Sequence, residues 1–237
     1  MNLREPLALL GGLSPAAFMR DVWQKRPLLI RNALPLVGED GAPLAPVTPA
    51  QLFELASRDD VESRLVIQDA APAKSSAKGR APSAERWRLK HGPFARRALP
   101  PLSQRGWTML VQGVDLHVQA AHELLQRFRF VADARVDDLM VSYASPGGGV
   151  GAHIDSYDVF LLQGFGRRRW RYGRQADVVL RPRLPLRILQ RFTPQHAEVL
   201  AGGDMLYLPP QYAHDGVAQP DETRPVSYTH LTLPTKA

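Results

Sequence analysis

The stretch Pro146-Gly147-Gly148-Gly149-Val150-Gly151-Ala152-His153-Ile154-Asp155 decides how the second half of the chain is read. Its glycine run lets the backbone approach other groups closely and marks a turn. The turn leads into His-x-Asp. On a strand, successive side chains alternate faces, so His153 and Asp155 project one way and Ile154 the other. An imidazole nitrogen and a carboxylate oxygen are then close enough to share one cation. Taken alone, such a triplet also fits a polar strand end at the mouth of a barrel.

A third donor lies further along. His214 comes 59 residues after Asp155, behind the turn Gly202-Gly203-Asp204, the strand-like run Met205–Leu208 and the stop Pro209-Pro210. Two histidines and one carboxylate on one face make a facial triad, a donor set suited to iron(II) with coordination positions left open. Between these elements runs Gly166-Arg167-Arg168-Arg169-Trp170-Arg171-Tyr172. As a strand it places Arg168, Trp170 and Tyr172 on one face and Arg167, Arg169 and Arg171 on the other. The aromatic face is the expected interior, which makes Arg168 a buried guanidinium in need of an anion; a dicarboxylate would satisfy it bidentately. The other three arginines read as a solvated or RNA-binding edge.

Working outward, residues 107–227 read as one core region, and from Asp137 on short apolar runs are punctuated by Gly and Pro. Expected strands are Leu139–Tyr143, Val159–Leu162, Arg169–Tyr172, Val178–Leu180 and Met205–Leu208, which argues for a sandwich or barrel. A helix is expected over Trp107–Phe128 from the spacing of its apolar residues. Residues 1–106 read as a mixed α/β region. Ser14 before Pro15 caps a first helix, Thr48-Pro49 starts a second, and Leu28–Ile30, Arg64–Gln68 and Arg86–Lys90 are short strands. Residues 70–84, rich in Ala, Pro, Ser and Lys, read as a loop.

Composition sets the outer limits. The chain has 237 residues, 44% of them apolar and 22% charged, so it has the make-up of a globular protein with one or two domains. It has no cysteine, which excludes disulfides, thiolate nucleophiles and zinc ribbons and leaves His, Asp and Glu as metal ligands. No run approaches a membrane span and no signal peptide is evident, so a cytoplasmic location is expected. The net charge is +7, and only five of the 30 basic residues are lysines. That balance suits an RNA or acidic partner, and a preference for Arg codons explains it equally well. No recognised RNA-binding motif appears, so direct nucleic-acid binding is not expected.

In seven stretches taken in order, the chain resembles the bacterial JmjC-type ribosomal oxygenases. They are Trp23–Leu28, Val61–Leu65, His91–Phe94, Asp137–Met140, Pro146–Asp158, Gly164–Trp170 and Gly203–His214. The resemblance implies a mainly β protein with a helical N-terminal part, built on the double-stranded β-helix (jelly-roll) of the cupin superfamily. It implies an iron(II)- and 2-oxoglutarate-dependent dioxygenase that uses O2 to hydroxylate Cβ of an arginine in the sixteenth protein of the large ribosomal subunit. By resemblance His153, Asp155 and His214 hold the iron, Arg168 grips the distal carboxylate of 2-oxoglutarate, and Ser142 adds a hydrogen bond. Tyr157 falls on the ligand-bearing face and either lines a substrate channel or packs in the core. Histidyl hydroxylation, or a non-catalytic cupin-like binding module, are the alternatives. His91, His117, His122 and His196 read as structural.

The resemblance stops near Ser227. Residues 228–237 do not match the family's closing strand and read as a non-native tail, so His230 is not counted as a ligand. The expected β-helix therefore lacks its closing strand. The family's C-terminal dimerisation and winged-helix regions are absent, although the complete protein is expected to be a homodimer. A barrel opened in this way is expected to be poorly soluble and weakly active or inactive.

Overall fold

Ser14 and Thr48 start helices for the reason their neighbours supply. The Ser14 hydroxyl accepts from the Ala17 amide at 3.2 Å ahead of Pro15, opening α1 (Pro15–Asp21). Thr48 opens α2 (Pro49–Leu55) with a reciprocal capping box, its side chain taking the Gln51 amide and Gln51 returning to the Thr48 backbone. The computed structural model describes residues 2–35, 46–69, 86–220 and 228–234. The 70–84 loop lies outside the described residues.

The remaining elements are, in order, β1 (Leu28–Ile30), β2 (Ser63–Asp69), β3 (Arg86–His91), β4 (Trp107–Val111), α3 (Gln119–Gln126) and β5 (Met140–Ala144). After them come β6 (His153–Ile154), β7 (Val159–Gln163), β8 (Arg167–Arg174), β9 (His196–Ala201), β10 (Met205–Leu208), β11 (Tyr212–Ala218) and β12 (Tyr228–Pro234). They form two antiparallel sheets. The larger has the order β1-β10-β7-β12-β5-β4-β2-β3 and the smaller β6-β11-β8-β9. This is the expected double-stranded β-helix with a helical N-terminal part. None of the described helices is long and apolar enough to cross a membrane.

Alternation along β7 and β10 divides the core in two. Phe160, Leu162, Met205 and Tyr207 face the N-terminal helices, where Phe18 meets Tyr207 with ring centroids 5.0 Å apart and Phe128 meets Phe160 at the same distance. Val159, Leu161, Leu206 and Leu208 face the smaller sheet and pack with Trp170, Tyr172 and Leu200. One strand thus feeds two apolar layers, and the helices cover the back of the sheet that backs the site.

Four expectations need correction. Trp107–Val111 is strand β4, not the start of a helix: five consecutive buried residues, aromatic and β-branched among them, pair with β2 and β5. Gly113, at φ 59°, breaks the chain before α3, so His117 lies outside any α-helix. Val178–Leu180 is no strand; the three residues are exposed and contribute a single bridge, Leu180 to Leu189. His196 begins β9 rather than sitting in a loop, its ring stacked on Tyr172 with centroids 5.0 Å apart.

The closing strand is the fourth correction. β12 lies between β5 and β7 and pairs with both, Leu231 opposite Val141 on one side and Leu162 on the other. The run Tyr-Thr-His-Leu-Thr-Leu carries the β-branched and aromatic residues that suit a pleated ladder, whatever its departure from the family pattern. Without it, facing backbone groups on β5 and β7 lose their partners. At roughly 1 kcal/mol per ladder hydrogen bond and ~2–4 °C per kcal/mol for a chain of this size, deleting residues 228–237 should lower the thermal midpoint by at least about 10 °C. Circular-dichroism melts of the two chain lengths measure this; matching midpoints would show that β12 adds nothing to the sheet.

Candidate metal centre

The glycine run is fixed by strand backbones. Gly147, at φ 78°, donates its amide to the Ala218 carbonyl, and Ala218 returns the bond to Gly148. A Cβ on Gly148 would stand 2.3 Å from the Trp107 carbonyl oxygen, and one on Gly149 2.6 Å from that of Gly216. The close approach expected of these glycines is thus made to β4 and β11. It brings Gly151 and then β6 alongside β11 in a register that sets His153 directly opposite His214.

Cross-strand partners project to the same side, and Asp155 follows on the same face. The ring centroids of His153 and His214 are 4.2 Å apart. The Asp155 Oδ2 atom lies 3.8 Å from His153 Nε2 and 3.5 Å from His214 Nε2. The backbone behind Asp155 is pinned by the Gln211 amide, which donates to the Asp155 carbonyl at 2.9 Å.

The protonation pattern is set by the other ring nitrogens. His153 Nδ1 lies 2.9 Å from the Gly151 carbonyl and His214 Nδ1 3.0 Å from the Tyr212 carbonyl. A carbonyl only accepts, so both Nδ1 atoms carry a proton, which makes Nε2 the lone-pair atom of each ring in its neutral form. Burial pushes the His214 imidazole down to about 4, and His153 adds to the effect while Asp155 opposes it. At neutral pH His214 therefore turns a bare Nε2 lone pair toward His153 Nε2 and the Asp155 carboxyl. One ligand atom from each residue lies within 4.8 Å of the others, a spacing at which the three can hold one metal ion. Among the described residues no other such group occurs.

Arg168 sits on the same interior face. It is 4% exposed, its Nε has no hydrogen-bond partner among the described residues, and Nη2 reaches only Ser142 Oγ at a long 3.5 Å. Burial pushes the guanidinium down to about 10, with Asp215 opposing, so it stays charged at neutral pH. His214 pairs with Tyr172 on β8, four residues from Arg168, a separation of about 13 Å along the strand. Trp170 lies between them, its ring 5.8 Å from the His214 ring and 5.8 Å from the Arg168 Cζ. A cation at one end, metal-type donors at the other and an aromatic floor between suit a short dianion.

Tyr157 packs against the inter-sheet core beside Trp170 and Tyr172, and burial and Asp155 push its phenol up to about 12. The sequence reading missed β11 as a strand, together with the two carbonyls that fix the histidine tautomers. Gly216 was missed as well: a Cβ there would meet the Trp170 ring at 2.6 Å. The alternation of Tyr212, His214, Gly216 and Ala218 was the available signal.

Residues 123–237 match the JmjC domain. Over nearly its whole length the chain is similar to ribosomal oxygenases. It is 37% identical over 213 residues to a probable ribosomal oxygenase of Haemophilus influenzae, covering 88% of this chain and 48% of that protein. It is 37% identical over 204 residues to the ribosomal protein uL16 3-hydroxylase of Escherichia coli, covering 85% and 48%. The Escherichia coli ribosomal oxygenase YcfD, in complex with cobalt and 2-oxoglutarate, superposes with a TM-score of 0.73 at 32% identity, over 95% of this chain and 52% of that one. The chain spans about half the length of the relatives it matches.

A centre with only three protein donors is sensitive to each. His153→Ala, Asp155→Ala and His214→Ala should each weaken cobalt(II) binding at least tenfold while leaving the far-ultraviolet spectrum unchanged. Titration by the visible absorption of cobalt checks this; unaltered affinity in any of the three would remove that residue from the centre.

Proposed function

We propose that the complete protein is an iron(II)- and 2-oxoglutarate-dependent oxygenase that hydroxylates a large-subunit ribosomal protein at Cβ of an arginine. The observation that carries this is the convergence of the His153 and His214 ring nitrogens and an Asp155 carboxyl oxygen on the interior face that also buries the Arg168 guanidinium. The relatives' names, ribosomal oxygenase and ribosomal protein uL16 3-hydroxylase, supply the substrate class.

In this reading His153, Asp155 and His214 hold iron(II) facially. When bound, the metal supplies oxidative chemistry in which 2-oxoglutarate and O2 give succinate and CO2, and one oxygen atom enters a C–H bond of the protein substrate. The remaining tasks fall to this chain. Arg168 binds the distal carboxylate with its unused Nε–H and Nη–H groups, and Ser142 holds the guanidinium from β5. Trp170 walls the space between and excludes water. Tyr157, beside Asp155, lines the approach of the protein substrate. The homodimer expected of the complete protein, and its cytoplasmic location, belong to the same reading.

A second target has one observation behind it. Over 94 residues the chain is 37% identical to a protein of Brugia malayi named bifunctional lysine-specific demethylase and histidyl-hydroxylase NO66, of which it covers 12%. Incubating the complete protein with iron(II), 2-oxoglutarate and ribosomal protein uL16, then fragmenting the product by mass spectrometry, distinguishes the targets. A single added oxygen on an arginine is expected; one on a histidine would overturn the arginine assignment, and no succinate formation would overturn the enzyme.

The co-substrate role of Arg168 has its own check. Charge-assisted hydrogen bonds are worth about 1.5–3 kcal/mol each, so Arg168→Ala should raise the 2-oxoglutarate concentration for half-maximal turnover more than tenfold. Arg167→Ala and Arg169→Ala, on the outward face, should change it less than about twofold. Equal effects from all three would put the wrong face of β8 inward.

A further inference from the structure

The basic charge of this chain is concentrated in one place. Between Arg167 and Arg191 there are nine arginines, no lysine and one acidic residue, Asp177, a formal +8 that leaves the rest of the chain at −1. Of these, Arg168 lies on the interior face of β8, and Arg174 follows on the same face at the exposed strand end, over the Tyr212 ring. Arg167, Arg169, Arg174, Arg183, Arg187 and Arg191 are exposed, and none of the six has a carboxylate at ion-pair distance among the described residues. Elsewhere the arginines are more scattered and the pattern is mixed: Arg97, Arg105 and Arg135 also lack an ion pair among the described residues, while others are paired. Arg20, Arg31, Arg58, Arg88 and Arg129 each close on an aspartate or glutamate. A uniform preference for arginine codons leaves no reason for acids to be missing from this one segment.

The positions fall on one strand and on the segment that follows it. Arg167 and Arg169 lie on the outward face of β8, two residues and about 6.6 Å apart along the strand, near the spacing of successive phosphates in an extended nucleic-acid strand. Arg183, Arg187 and Arg191 belong to the segment that leaves β8 and returns as β9. That segment is anchored, since Ile188 is buried against Val66, Trp87 and Leu110 and the Leu189 amide donates to the Ala152 carbonyl at 2.8 Å. The arginines are thus presented from a fixed base. A cavity of about 290 Å3 is lined by Arg171 and Arg181 together with Ile188, Leu189 and Val217. Planar guanidinium groups, used here to the exclusion of lysine, match phosphate oxygens bidentately.

We propose that the outward face of β8, with the segment linking it to β9, is a docking surface for single-stranded nucleic acid held through its phosphates. The surface lies on the side of β8 opposite the metal-type donors, so occupancy leaves the interior face free. Five unneutralised arginines, Arg167, Arg169, Arg183, Arg187 and Arg191, on the outward face of a strand and its anchored return give the charge density that backbone binding requires. Nothing in this depends on the reaction assigned to the interior face.

The test measures fluorescence anisotropy of labelled oligouridine and oligothymidine of about 20 nucleotides, from about 50 to about 300 mM salt, with the 237-residue chain. Binding should weaken steeply with salt, and R167Q/R169Q should shallow the slope of log affinity against log salt by about 1.4, at about 0.7 for each phosphate that is no longer neutralised. R183Q/R187Q/R191Q should cost at least tenfold in affinity at about 100 mM salt. The control R97Q/R105Q/R135Q removes as much charge from exposed arginines elsewhere and should leave binding within about twofold. The oligouridine and oligothymidine arms separate RNA from DNA. The proposal is overturned by absence of binding at low salt, by equal losses in the control, or by equally tight binding of polyglutamate, which would assign the surface to acidic protein.

Discussion

Everything at the interior site hangs on the pairing of β11 with β6 on one side and β8 on the other. That double register sets His214 opposite His153 and opposite Tyr172 at once. Because side chains alternate along a strand, a slip of one residue in β11 would turn His214 outward and bring Asp215 in. The register is held by more than its ladder. Gly216 leaves room for the Trp170 ring, Gly149 lets the preceding loop lie on the β11 backbone, and the amides of Gly147 and Ala218 close the end. The glycines around the site act as spacers between backbones, and the donor geometry is their product.

The two faces of the smaller sheet have been given opposite electrostatics by a single strand. Inward, β8 offers one charge with almost no protein partner, beside the Trp170 ring. Burying a lone guanidinium is costly, and Ser142 at 3.5 Å offsets little of that cost. Outward, Arg171 is neutralised by Asp215, while Arg167 and Arg169 stay in water. The strand therefore gives up stability at one residue and leaves the others free to serve elsewhere.

The interior site was legible in the sequence because its chemistry is local. His-Ile-Asp reads directly as two ligands on one face, and Arg-Arg-Arg-Trp-Arg-Tyr sorts itself by period two into the burial pattern observed, with Arg168, Trp170 and Tyr172 inside. Capped helices at Ser14 and Thr48 were legible for the same reason. The features that escaped depend on distant partners. Trp107–Val111 carries apolar residues that fit either period, and only its place between β2 and β5 decides for a strand. Val178–Leu180 has strand propensity and no neighbour to pair with beyond one bridge. Residues 228–234 depart from a family pattern, yet a gap flanked by two strands accepts any chain able to extend. The tautomer-fixing carbonyls of Gly151 and Tyr212 carry no side-chain signature at all.

The seam between β1 and β10 governs how the molecule is made. Leu28 pairs with Tyr207 and Ile30 with Met205, so the first strand of the chain closes on one of its last. During synthesis at about 5–20 residues per second, roughly 175 residues must emerge after β1 before its partner exists, an interval of about ten seconds to half a minute. Throughout that time Leu28, Leu29 and Ile30 have a ladder edge and no strand to meet it. The N-terminal aromatic cluster around Phe18 and Trp23 waits equally for Phe160 and Tyr207. Folding of this protein therefore turns on late, long-range closure, which leaves the apolar β1 segment unpaired while the residues between β1 and β10 are made.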